Sequence, residues 1–367
     1  MGEPTALGFA AARFRHFAAV IRGSGHEVCE VDASRPAAEQ ADVVVSAGIY
    51  RPTEVAVRIA GDRPLWIDLP GDPFADAQAV VARGGDPVAV AEDCARVFVP
   101  ALARADGFST IGAVSRWTLV GQLGLIGRWA GPDTLPIAPI PIAWPGTTSR
   151  PEGDGVLRIL LAGSFNTWFD DDAVADVILA VSKRALIQVE VTGGPGQPGG
   201  YERFAQRMVG LPVRFHGWVD DPGAIIAGCE VLLTLDRPDL WEPLCGSRTR
   251  VLTARAAGLR VVASAGPELV NDLAAMGQVA AVSSREEAVE AILARAPPPD
   301  PSPIAERYDP ERVAEPLLAW LKAPRRVPSA RVAEPLQRAI AAQAKAEAEV
   351  AAIRKTWAFK LGRLGRG

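Results

Sequence analysis

Cysteine and histidine are scarce in this 367-residue chain, four and three respectively, and each scarcity removes a class of chemistry. Cys29, Cys94, Cys229 and Cys245 lie far apart without the paired spacing of a zinc site, and His16, His26 and His216 do not cluster. Reduced thiols, a cytoplasmic setting and no structural metal are the expectation. No run is long and apolar enough to span a bilayer. The start, Met1-Gly-Glu-Pro, lacks a basic region, and Arg13, Arg15 and His16 interrupt the early apolar stretch, so no secretory leader is expected. Excess positive charge is also missing. A net charge of −4 gives no general attraction to nucleic acid.

What is present suits a soluble α/β protein, with 49% hydrophobic and 22% charged residues and a length that accommodates two domains and a tail. Short β-branched runs alternate with helical stretches rich in alanine and arginine, the pattern of parallel sheets flanked by helices, and the pattern occurs twice. In the first half, strands are expected near residues 26–31, 42–46, 65–68 and 108–114. Helices are expected near 12–22, 76–83, 89–104 and 116–128. A Pro-rich run at 135–145 leads to a polar, Gly-containing linker at 146–155. The second half predicts strands near 156–162, 186–192, 213–216, 231–235, 261–264 and 279–282. The organisation is therefore a Rossmann-like domain over 1–146, a second over 155–296, a packing helix over 303–322 and a helical tail over 329–367. Between residues 354 and 366 the tail is basic, with Trp357, Phe359, Leu361 and Leu364 interleaved. Residues 336–364 suit self-association or contact with a membrane surface equally, and a solvated tail fits as well.

The most informative segment runs from Asp236 to Ser264. A buried strand at 231–235 feeds an acidic loop, then a helix with Ser247 as its expected N-cap and Gly258 as its stop, then the next strand. Unpaired N–H groups at that helix start, close approach at Gly246, and Arg248 and Arg250 alongside suit a diphosphate. The plain alternative is a solvated helix face. Gly163, Ser164 and Asn166 follow the carboxyl end of a strand, where backbone N–H groups and the Asn166 amide would hold phosphate or sugar oxygens. Asp170, Asp171 and Asp172 open the next helix and read as capping charges. Asp68 and Asp72 follow a strand in the first half and are candidates for orienting an acceptor hydroxyl, although such loop carboxylates commonly cap turns.

Taken in order, several segments resemble the GT-B-fold glycosyltransferases, particularly bacterial enzymes of glycosyltransferase family 4. They are Gly25-His-Glu-Val28, the stretches 66–78 and 115–124, Gly163-Ser-Phe-Asn166, Thr192-Gly-Gly194, Phe215-His-Gly-Trp-Val219 and the 236–264 segment. The resemblance covers residues 8 to 295, and the first domain's opening strand would have to fit into residues 4–9. It implies two Rossmann-like domains facing a cleft, a nucleotide-sugar donor, a glycan or lipid-linked hydroxyl acceptor, no cofactor or metal, and retention of anomeric configuration in surface polysaccharide or glycolipid synthesis. Glu242 would lie near the donor sugar and Arg248 at the leaving group, with Asp68 on the acceptor hydroxyl. Gly163, Ser164, Asn166, Gly193, Gly217, Val219, Gly246, Ser247 and Arg250 would line the donor, and Asp72 and Arg116 the acceptor side. The chain departs from the family at Thr253, where an acidic residue commonly holds the ribose; a weaker hydroxyl contact or a replacement acid such as Glu268 would be needed. The usual basic pair after the second domain's first strand is also missing, leaving Arg248, Arg250 and Arg237 to meet the diphosphate. These departures motivate a rival reading, a catalytically degenerate scaffold or partner subunit on the same fold.

Overall fold

The computed structural model describes residues 9–31, 41–128, 131–147, 155–196, 199–219, 221–328 and 349–350. Among the described residues ten strands form two parallel sheets. The first comprises β1 (Val44–Ala47), β2 (Leu65–Leu69), β3 (Gly107–Thr110) and β4 (Ile137–Pro139), in that spatial order. The second comprises β5 (Leu157–Ala162), β6 (Ile187–Thr192), β7 (Val213–Gly217), β8 (Val231–Thr234), β9 (Arg260–Ser264) and β10 (Ala280–Val282). Its order, β7-β6-β5-β8-β9-β10, is the doubly wound Rossmann order, with the switch between β5 and β8.

Both sheets are buried on two faces, so their central strands are continuous apolar runs rather than alternating ones. In the second sheet, Leu157, Ile159 and Leu161 turn toward the helix Asp171–Ser182, which buries Val174, Val177, Ile178 and Val181. Leu160 and Leu232 face the opposite way, toward Val251 and Leu252 of the helix Thr249–Ala256. That helix ends as expected at Gly258, whose φ of 74° allows the closing bonds from Gly258 N to Arg255 O and from Leu259 N to Ala254 O.

In the first sheet one face packs Val44, Leu65, Ile67 and Phe108 against Phe98. The other packs Trp66 and Ile140 against Phe17, Leu317 and Trp320. The last two come from the helix Pro310–Leu321, which carries the chain back across to the first domain after the second sheet is complete; the Trp66 and Trp320 rings lie 5.2 Å apart.

Four expectations need correction. Residues 26–31 form no strand: they are largely exposed, and Arg22 pairs with Glu30 across the turn. The helix Arg51–Ala60 was not anticipated, because Pro52 reads as a turn residue but sits at a helix start, where its missing N–H costs nothing. Ile137–Pro139, inside the Pro-rich run, is an edge strand, the one place in a sheet that tolerates proline. The single packing helix at 303–322 is two, Ser302–Arg307 and Pro310–Leu321; Asp309 caps the second by accepting from Glu311 N and Arg312 N. The strand expected at 4–9 falls outside the described residues except for Phe9, which opens the helix Phe9–Gly23. Nearly all of the 329–367 tail lies outside them too.

Close contact between β2 and β3 depends on Gly107, where an added Cβ would stand 2.4 Å from the Trp66 ring. Gly107→Ala is expected to lose about 1–3 kcal/mol in urea unfolding through overpacking, whereas Gly121→Ala, with open space at its Cβ position, should change stability little.

Candidate functional site

The carboxyl ends of β5, β6 and β7 are tied into one surface by three glycines in the left-handed region. Gly163 (φ 99°) donates to Thr192 O, Gly193 (φ 107°) donates to Gly217 O, and Phe165 N donates to Gly194 O. A Cβ on Gly193 would stand 2.2 Å from Gly163 O, so the two loops touch backbone to backbone. A register shift between Val191 and Thr192 places Gly217 (φ 67°) beside Thr192. Asn166 turns its amide onto the 193–196 loop, with Oδ1 2.0 Å from where a Gly196 Cβ would lie, and Ser164 is packed against the same glycine. Trp218 lies across Gly194 and is 62% exposed. Val219 is half-buried next to it.

Above this surface, the chain from β8 to the helix Thr249–Ala256 is organised by one buried cation. Arg248 Nε donates to Asp236 Oδ2 at 2.7 Å and Nη2 donates to Glu242 Oε2 at 2.8 Å, with all three side chains buried. Burial raises the Glu242 pKa and the neighbouring Asp236 adds to the effect, against the pull of Arg248. Burial works against the Arg248 charge, but the two carboxylates outweigh it and push Arg248 up. Arg248 therefore holds the loop rather than facing the cleft as a free cation. Ser247 is not the cap: Arg248 itself, at φ 44°, is the N-cap residue and makes no side-chain cap bond, while Ser247 Oγ lies 3.3 Å from Thr249 Oγ1. Gly246 is required because a Cβ there would meet Arg248 Nη1 at 2.4 Å and Glu242 Oε1 at 2.5 Å.

Arg250 has the opposite character. Its guanidinium lies against Gly163, 3.3 Å from an added Cβ, and has no hydrogen bond or ion pair with any described residue. Burial lowers its pKa, with Asp236 opposing and Arg248 reinforcing the shift. A desolvated guanidinium without a counter-ion beside a turn of positive-φ glycines can accept an anion at no cost in existing bonds.

The remaining expected residues are spent on structure. Asp68 is fully buried; Arg13 Nε and Nη2 donate to its two oxygens at 3.0 and 2.8 Å, and Ser109 Oγ donates at 2.6 Å. Its carboxylate pins the first sheet to the helix Phe9–Gly23 and does not reach an acceptor. Asp72 caps the helix Pro73–Ala82 through Phe74 N and Ala75 N and accepts from Gln122. Arg116 stacks over Trp117 at 5.5 Å, its buried Nε unpartnered. Thr253 donates back to Thr249 O, and Glu268 accepts from Ala113 N and Val114 N across the domain boundary at 2.9 and 3.1 Å, so neither is placed for a ribose. Arg237 is paired with Asp239 and is likewise not free for a diphosphate. Asp170 caps its helix through Ala173 N, while Asp171 and Asp172 pair with Arg203 and Arg207. Among the described residues no group of three or more His, Cys, Asp or Glu side chains is placed to hold a metal, and no helix is long and apolar enough to cross a membrane.

Three residues were not singled out from sequence: Asp236 as a partner of Arg248, the exposed Trp218, and Asp76, whose charge acts on Glu242 from the other domain. Only Asp236 left a signal, as the acid that opens the loop after β8.

No protein-family model matches the chain, and no curated protein sequence matches it. Solved structures do. The chain is similar to WaaG, a glycosyltransferase involved in lipopolysaccharide biosynthesis, at 15% identity and TM-score 0.52, over 88% of this chain and 94% of that one. It is also similar to an α,α-trehalose-phosphate synthase (UDP-forming) from Burkholderia vietnamiensis, at 11% identity and TM-score 0.51, over 77% and 71%. A third likeness, to the GtfA/B complex, has 18% identity and TM-score 0.49; it covers 77% of this chain, which spans 57% of that chain's length. The architecture is thus that of the GT-B glycosyltransferases, two Rossmann-like domains flanking a cleft.

The two arginines should separate in a stability assay. Arg248→Ala leaves two buried carboxylates unpaired and is expected to cost about 3–5 kcal/mol. Arg250→Met removes an unpaired, partly buried charge and should leave the melting temperature unchanged or higher. Chemical denaturation of both variants checks this; equal losses would contradict it.

Proposed function

We propose that the chain transfers a glycosyl group from a nucleotide sugar to a hydroxyl of a glycan or lipid-linked acceptor, with retention and without a metal, in building a surface polysaccharide or glycolipid. The observation that carries the reading is Arg250, an unpaired guanidinium held against the Gly163 turn at the switch point of a Rossmann-ordered sheet. In this reading the diphosphate lies between Arg250 and the Ser164 and Asn166 N–H groups, those of Gly163 and Phe165 being bonded to the neighbouring loop, and the exposed Trp218 face receives the nucleobase. Glu242, oriented by Arg248, borders the donor sugar. Charge that builds on the leaving diphosphate is met by a cation already in place, which lowers the barrier without reorganisation. Closure of the two domains excludes water.

The positions of Thr253 and Glu268, both bonded elsewhere, leave the ribose without a carboxylate and favour a second reading, a chain that binds a nucleotide without turning it over.

Thermal shift against UDP, GDP, ADP, dTDP and CMP and their sugar conjugates, with a chelator present, tests the donor site. A matching nucleotide at a hundred times its dissociation constant should stabilise by roughly 2.7 kcal/mol, a few degrees, and Arg250→Met should abolish the shift. A shift retained in Arg250→Met, or none with any nucleotide, would overturn the reading; a shift without nucleoside diphosphate release from any sugar conjugate would select the second.

A further inference from the structure

Across the cleft from Glu242, the first domain presents a tyrosine and a carboxylate that nothing in the fold requires. Tyr50 follows the carboxyl end of β1 with φ 62° and ψ −116°, a strained conformation for a non-glycine residue. Its ring stands edge-on to Phe98 at 5.4 Å, and its hydroxyl donates to Asp76 Oδ2 at 2.6 Å. Tyr50 is nevertheless 40% exposed and forms one wall of a cavity of about 440 Å³, lined also by Arg51, Glu54, Arg58 and Arg96. Asp76 lies on the helix Pro73–Ala82, which packs against the short helix Glu242–Cys245 of the second domain. It is only half-buried, and its other oxygen has no hydrogen bond to a described residue.

We infer that Asp76 is the residue that receives the acceptor: its free carboxylate oxygen accepts a hydrogen bond from the acceptor hydroxyl next to the attacking one, Tyr50 fixes the carboxylate, and the polar cavity beside Tyr50 holds the rest of a polyhydroxyl acceptor. This rests on the glycosyltransferase reading. The bond from the anomeric carbon to the diphosphate oxygen breaks, the bond to the acceptor oxygen forms, and the acceptor proton passes to the departing diphosphate. Asp76 stays ionised throughout and orients the nucleophile.

The groups facing Asp76 define its titration. They are Tyr50 from the loop after β1, Cys94 from the helix Pro87–Arg104 and Glu242, with its Arg248, from the second domain. Burial raises the Asp76 pKa, and the Tyr50 hydrogen bond lowers it. An acceptor-binding carboxylate must be ionised, so the rate should fall as pH drops through its pKa. Removing the Tyr50 hydroxyl should move that fall to higher pH.

The test uses the full chain, with nucleoside diphosphate release from UDP-, GDP-, ADP- and dTDP-glucose measured with water and with octyl glucoside as acceptors, between pH 5 and 9 as a roughly chosen range. Asp76→Asn should lower kcat at least about tenfold with the donor KM unchanged, and Tyr50→Phe should shift the acid limb upward. Wild-type kcat in Asp76→Asn, or an unshifted limb in Tyr50→Phe, would overturn the assignment of Asp76 alone. Failure of the wild type to bind any of the nucleotide sugars would instead strike the donor site, and this inference with it.

Discussion

The buried Arg248 guanidinium, held between Asp236 and Glu242, fixes the loop that joins β8 to the helix Thr249–Ala256. Its left-handed backbone turns its side chain under the loop instead of out into the cleft. The helix then starts one residue later than a serine cap would place it, and Arg250 emerges on the Gly163 side without a partner. One cation is committed to structure so that another can stay uncommitted. The cost of the second is visible as its desolvation, and a protein retains such a cost where an anion is to be met.

The same economy governs the first domain. Asp68, at the carboxyl end of β2, is consumed by Arg13 and Ser109. The two domains meet through polar contacts around the cleft. Glu268 caps the helix Ala113–Leu125, Ser115 Oγ donates to Cys245 O at 3.1 Å, and Arg83 Nη2 donates to Thr167 O at 2.9 Å. Gly112 permits the first of these, since a Cβ there would fall 2.4 Å from Glu268. Hydrogen-bonded contacts of this kind between domains can open and reclose.

Much of the second sheet was legible in the sequence because its strands are short runs rich in branched aliphatic residues; β5, β6, β8 and β9 lie within a residue or so of where those runs predict. Gly163, Gly193 and Gly217 were equally legible, since a glycine at the end of such a run has few other reasons to be there. The Arg248 backbone was not, because a serine two residues before the helix is the better cap by propensity, and a long-range ion triad overrode it. Residues 26–31 carried a strand's composition without a partner strand to bury it. Tyr50 and Asp76 are separated by 26 positions and meet only through the fold, so no local pattern joins them.

The central claim is that an anionic nucleotide binds where β5, β6 and β7 end, under Arg250. Hydrogen–deuterium exchange with UDP, GDP and ADP in turn tests it most directly. The account predicts that one of them slows exchange at residues 163–166, 193–196, 217–219 and 248–250 together. Unchanged exchange there, with slowing instead around the cavity of about 550 Å³ that Trp241, Pro267 and Ser283 line on the far side of the triad loop, would contradict it.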